Sequence, residues 1–170
     1  MKKDVLMYFD LITSIKTTQE VLDLSLEIDM LISTLSQSQN LSLDKAIAAI
    51  SITTGKKIMQ IFEKNNLDVN DSELTSDFLE TLKDLIKKFK VIKLILAFDP
   101  SQRTIENIHE FVASDIGIGY VLDVEVSERV VGGSVVIFNG KYWDFTLRKS
   151  LEDIFVNKNG EILNFINIKN

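Results

Sequence analysis

Apolar residues in the first half of the chain recur every three or four positions, the period of a helix with one buried face, and beyond Lys90 the pattern shortens toward that of strands. Val5, Leu6, Phe9, Ile12 and Ile15 share one face of a predicted first helix. Thr17 and Glu20 stand in capping-box register at the start of a second, which continues through Val21, Leu22, Leu24, Leu26, Ile28, Leu31, Ile32 and Leu35. Being apolar on more than one face, it is expected in the middle of a small bundle. Ser36–Asn40 reads as a loop and Ser42 as the N-cap of a third helix, with Leu43, Ile47, Ile50, Ile58, Ile61 and Phe62 inward and Gly55 as its kink or break. The turn-rich NNLDVND segment, 65–71, leads to a fourth helix from Ser72 to Phe89, with Leu74, Phe78, Leu82, Leu85, Ile86 and Phe89 on its stripe.

At Lys90 the period changes. VIKLILAF is a β-prone run interrupted only by Lys93, the pattern of a strand buried on both faces. Asp99 and Pro100 are placed to cap and open a helix whose inward residues are Ile105, Ile108, Phe111 and Val112. Gly117 and Gly119 end it. In the next strand, Tyr120–Ser127, Leu122, Val124 and Val126 alternate with Asp123, Glu125 and Ser127, so one face is wet. Gly132 and Gly133 suit a tight turn or a close backbone approach. Asn139-Gly140 is the strongest short-range signal for a two-residue hairpin, here joining Ser134–Phe138 to Lys141–Phe145. That loop sets Val136 opposite Trp143 and Val135 opposite Asp144. Leu147, Leu151, Ile154 and Phe155 are expected to fold a last helix back onto the sheet. The fold class read from these patterns is α+β: an N-terminal helical bundle of about four helices over 1–89, then a small four-stranded mixed sheet with two helices over 90–156, and a tail over 157–170.

Chemistry adds mostly exclusions. There is no cysteine, so neither a disulfide nor a thiolate metal site is available, and the formal charge of −6 lacks the footprint of a nucleic-acid binder. No apolar run reaches membrane-spanning length, and Asp4 and Asp10 follow Met1-Lys2-Lys3 too closely for a secretory signal. SITTGKK, Ser51–Lys57, resembles a phosphate loop only in passing, because Ile50 stands where its first glycine belongs and Lys57 where its hydroxyl belongs. Lys83, Lys87, Lys88 and Lys90 follow Glu73, Asp77 and Glu80 along one helix, an order that matches the helix dipole and needs no ligand. The one histidine, His109, has no second histidine or clustered carboxylates near it in sequence, so a surface or core-edge role is expected. Asp123 and Glu125 share a strand face with nothing to desolvate either. These residues predict a protein that is not an enzyme, with no cofactor and no metal.

The stretch from Val130 to Phe155 carries a resemblance. Gly132-Gly133 after an acidic strand, a short hairpin turned by Asn139-Gly140, then Asp144, Thr146 and Arg148 opening the last helix are similar to the C-terminal domain of the delta subunit of rotary ATP synthases, bacterial relative of the oligomycin-sensitivity-conferring protein. The alanine-rich opening helix of that family is absent here, and the helical part is shorter than its six-helix bundle. The resemblance implies a non-catalytic stator subunit of a proton-translocating enzyme, on the cytoplasmic face of the plasma membrane and peripheral to it through the complex. It implies two partners: the N-terminal segments of the alpha subunits on the helical bundle, and the C-terminal helices of the b subunits, which form the peripheral stalk, on the C-terminal domain. Leu6, Phe9, Leu24, Leu31, Leu35, Leu147, Leu151 and Phe155 are the expected partner-facing residues. The rival reading is an unrelated cytoplasmic interaction scaffold of similar α+β architecture.

Overall fold

The computed structural model describes residues 6–37 and 41–167, with side chains through Val156 and at Lys158. Elements run α1 Phe9–Thr13, α2 Thr18–Gln37, α3 Leu43–Ala46 with a 3-10 turn Ile47–Ala49, α4 Ile52–Lys64, α5 Ser72–Ile86, β1 Lys90–Leu96, α6 Gln102–Asp115, β2 Tyr120–Val126, β3 Gly133–Phe138, β4 Lys141–Thr146 and α7 Leu147–Asn167. The protein is thus α+β, with helices first and a four-stranded sheet of order β2-β1-β3-β4 after them. Two compact units are formed, residues 1–90 with 109–121, and residues 91–108 with 122–170.

In the helical unit the core is built on Tyr8, Leu11, Ile15, Leu24, Ile28, Leu31, Leu43, Ile58, Phe62, Phe78, Leu79 and Leu82. Phe78 is its hub, stacked on Tyr8 and edge-on to Phe62, with ring centroids 4.9 Å apart in both pairs. The helix start signals act as their chemistry requires. Glu20 Oε2 accepts from the Lys16 and Thr17 N–H groups at 2.6 and 3.1 Å while Thr17 Oγ1 accepts from Glu20 N–H at 3.2 Å, closing the capping box. Asp71, read from sequence as the end of a turn, caps α5 by accepting from Glu73 and Leu74 N–H.

Several expectations are corrected. The first helix buries Tyr8, Leu11 and Ile15, so Leu6 and Phe9 lie on its open side; Val5 falls outside the described residues. Of the expected Ser36–Asn40 loop, Ser36 and Gln37 continue α2 and 38–40 lie outside the description. The third helix breaks at Ile50–Ser51 instead of at Gly55, because Ser51 is extended and its hydroxyl caps α4 by accepting from Thr54 N–H. Gly55 serves packing: a Cβ there would stand 2.4 Å from Ile47 Cγ2, so the missing side chain leaves room for Ile47 of the 3-10 turn against α4. Nor is α2 enclosed. Leu24, Ile28 and Leu31 are buried while Leu22, Leu26 and Met30 are exposed.

In the sheet, β1 and β2 run parallel, joined at their two ends by Lys90 N–H to Gly119 O and Ser127 N–H to Leu96 O, both 2.9 Å. β3 pairs antiparallel with β1, and with β4 in the predicted register, Val136 opposite Trp143 and Val135 opposite Asp144. Strand β1 is buried on one face only: Ile92, Leu94 and Leu96 are inside, whereas Val91 is exposed and Lys93 and Ile95 are half-buried. The cap of α6 is Ser101, whose hydroxyl accepts from Thr104 N–H at 3.2 Å. Asp99 misses that role because the helix opens only at Gln102, two residues past Pro100. Phe111, expected inside, is exposed, although Val112 beside it is buried. The stretch read as a tail, 157–170, continues α7 to Asn167; 168–170 lie outside the description.

Candidate protein-interaction surfaces

The hairpin and the helix that follows it form one built unit. Asn139 and Gly140 both take positive φ, 49° and 72°, as a two-residue loop with matched strand twist demands. Gly132 and Gly133 do so as well, at 69° and 80°, and Gly133 lies so close to β4 that a Cβ would stand 2.2 Å from the Phe145 carbonyl oxygen. Leu147 N–H then donates to Gly132 O at 3.1 Å, tying the start of α7 to the glycine turn.

Asp144 and Thr146 divide the work of opening α7. Asp144 Oδ1 accepts from Thr146 N–H at 2.9 Å, and Thr146 Oγ1 accepts from Lys149 N–H at 3.2 Å. The Thr146 hydroxyl and N–H, with smaller help from Lys149 and Arg148, hold the Asp144 carboxyl below its ordinary range. Arg148 takes no part in the cap; it is exposed and pairs with Glu152 at 2.9 Å, as Lys149 pairs with Asp153 at 2.8 Å.

Past this cap, α7 does not fold its apolar face onto the sheet. Leu147, Leu151, Ile154 and Phe155 are 52%, 44%, 49% and 66% exposed. The reason lies in the connection: β4 passes into α7 with no intervening residue, and the cap ties the first turn of α7 to β4 and to the glycine turn. The charges beside the stripe are matched within the helix, so what it offers a partner is apolar area. On β4, Tyr142 and Phe145 are also exposed, a feature hidden in sequence because aromatic residues in a strand read equally well as core.

Five of the eight expected partner residues lie on the helical unit, where burial sorts them. Leu6 and Phe9 are exposed, 71% and 43%, and Leu35 packs partly against the core. Leu24 and Leu31, 5% and 0% exposed, are core residues and present nothing to a partner, since α2 turns that face inward. Between α1 and α5 runs a groove floored by Met7, Tyr8, Leu67, Leu74 and Phe78. Asp71, Glu73 and Asp77 form its rim.

The remaining candidates have structural roles. Ile52–Lys57 lie within α4, and Lys57 Nζ donates to Ser14 Oγ at 2.9 Å. His109 Nε2 lies 3.2 Å from the Tyr120 carbonyl oxygen, a half-buried core-edge contact. Glu125 pairs with Lys93 at 2.7 Å across the open face of the sheet that Asp123 shares. Lys83 pairs with Asp29, and Lys87 with Asp84 at 2.9 Å. Among the described residues no group of three or more histidine or carboxylate side chains is placed to hold a metal ion, and no helix is long and apolar enough to cross a membrane.

No protein-family model matches the chain, and no curated protein matches it in sequence.

Proposed function

We propose that this chain is a non-catalytic stator subunit of a proton-translocating rotary ATP synthase, the delta-type subunit that links the catalytic head to the stalk of b subunits and resists torque. The observation that carries the reading is the hairpin-to-helix unit. The same residues that resemble the family, Gly132, Gly133, Asn139, Gly140, Asp144 and Thr146, turn the hairpin and cap α7, and α7 then offers an open apolar stripe of Leu147, Leu151, Ile154 and Phe155. Such a stripe suits a long apolar-seamed helix, and the C-terminal helices of the b subunits are the partner proposed for it. The acid-rimmed groove between α1 and α5, with Leu6 and Phe9 exposed beside it, is the surface proposed for the N-terminal segments of the alpha subunits. Binding to both would place the chain at the cytoplasmic face of the plasma membrane.

The reading is tested by titrating the full chain separately with two peptides from the same cell, one from the N-terminus of the alpha protein and one from the C-terminus of the b protein. Each peptide is expected to bind, the second losing affinity in Leu151→Ser/Phe155→Ser and the first in Leu6→Ser/Phe9→Ser. Failure of both peptides to bind removes the stator reading.

A further inference from the structure

The helical unit carries a second apolar face that neither the α1–α5 groove nor α7 includes. Leu22, Leu26 and Met30 follow one another at four-residue spacing on α2 and are 58%, 62% and 50% exposed, so they form one stripe over more than two turns, opposite the buried Leu24, Ile28 and Leu31. A lone exposed leucine needs no explanation; an aligned trio on a well-formed helix does.

The charges around the stripe say what kind of surface fits it. Helix α2 has no lysine or arginine, and its charged residues are Glu20, Asp23, Glu27 and Asp29. Asp23 and Glu27 flank the stripe on one side and Asp29 on the other. Asp29 is matched by Lys83 from α5, and Lys57 from α4 lines the crevice beside Leu26, but among the described residues Asp23 is held by the neutral Gln19 and Glu27 by the Ser51 N–H. The margin is therefore acidic. A second copy of the chain is a poor occupant, because two antiparallel α2 helices crossing at Leu26 would set the Asp23–Glu27 flank of one against the same flank of the other, with no lysine or arginine on either helix to meet it.

We infer that the Leu22–Leu26–Met30 face of α2 is a docking site for an amphipathic helix of another protein, one with leucine-like residues at four-residue spacing and lysine or arginine on its flanks. The site stands apart from the stator reading and does not depend on it.

The test uses the full chain with methyl-labelled leucine and methionine. Two synthetic helices with the same leucine seam serve as probes, one flanked by lysine and the other by glutamate. The lysine helix is expected to shift the Leu22, Leu26 and Met30 methyl signals first, to bind at least about tenfold tighter than the glutamate helix, and to lose at least about tenfold in affinity in Leu22→Ser/Leu26→Ser/Met30→Ser. Because all three residues are exposed, that variant keeps its fold, checked by the unshifted signals of Leu79 and Leu82. The inference is overturned if both helices bind alike, if the shifts map to α7 or the α1–α5 groove, or if the triple variant binds as the wild type does. Dimerisation of the free chain that Leu26→Ser abolishes would also overturn it, assigning the face to a second copy.

Discussion

Gly133, which stands opposite Thr146 in the β3–β4 register, lies against the Phe145 backbone with no room for a methyl group: a Cβ at 133 would stand 2.2 Å from the Phe145 carbonyl oxygen and 3.1 Å from its carbonyl carbon. The obstacle is backbone, which cannot swing aside as a side-chain tip can. Gly133 also has φ +80°, closed to a β-branched residue at low cost. Gly133→Val should therefore destabilise the C-terminal unit by roughly 2–5 kcal/mol, combining strain and overpacking. Gly140→Ala, at φ +72° with nothing within 4 Å of the added methyl, should cost only about 1 kcal/mol. Denaturant unfolding of the two variants checks the contrast, and equal effects would contradict the packing account.

Gly55→Ala would ordinarily stabilise a helix interior by about 1 kcal/mol. Here the added methyl meets Ile47 Cγ2 at 2.4 Å, so a net loss of about 1–2 kcal/mol is expected. In an Ile47→Ala background the same change should become favourable. A double-mutant cycle measures the coupling, and additivity would show that the 3-10 turn does not rest on α4.

Thr75 is 1% exposed and its hydroxyl has no hydrogen-bond partner among the described residues. Thr75→Val removes an unsatisfied polar atom without changing shape, and should raise the stability of the helical unit by about 1 kcal/mol. A lower melting temperature for this variant would mean that the hydroxyl does find a partner.

Asp144 links stability to acid. Its folded pKa lies below the ordinary value of 3.8, chiefly through its hydrogen bonds from Thr146, so its contribution is complete above that value and is lost as pH falls through the folded pKa. Wild type should lose α7 helicity only below about pH 4, whereas Asp144→Asn, which cannot ionise, should lack this step. Circular dichroism against pH separates the two; identical profiles would place the acid sensitivity elsewhere.

The hairpin was legible in sequence to the residue, because Asn139-Gly140 admits one two-residue loop and that loop dictates every pair down to Gly133 and Thr146. The helices were legible as helices but less so in phase. In α1, Leu6 and Phe9 have the same three-residue spacing as Tyr8 and Leu11, and only packing on Phe78 decides which pair is inside. In α2, two apolar stripes read as a buried central helix, yet the neighbouring helices cover just one of them. The open stripe of α7 is ambiguous in sequence for a related reason: Leu147, Leu151, Ile154 and Phe155 look alike whether a sheet or a partner covers them, and the direct join at Thr146–Leu147 decides the matter locally.

The central claim, that this chain couples a catalytic head to a stalk, is most directly tested by reconstitution. Purified head and stripped membranes, otherwise complete, are mixed with and without the full chain, and ATP-driven proton pumping is recorded. Pumping should return only with the chain, and Leu151→Ser/Phe155→Ser should restore less of it while leaving ATP hydrolysis by the head unchanged. Full pumping without the chain would contradict the account.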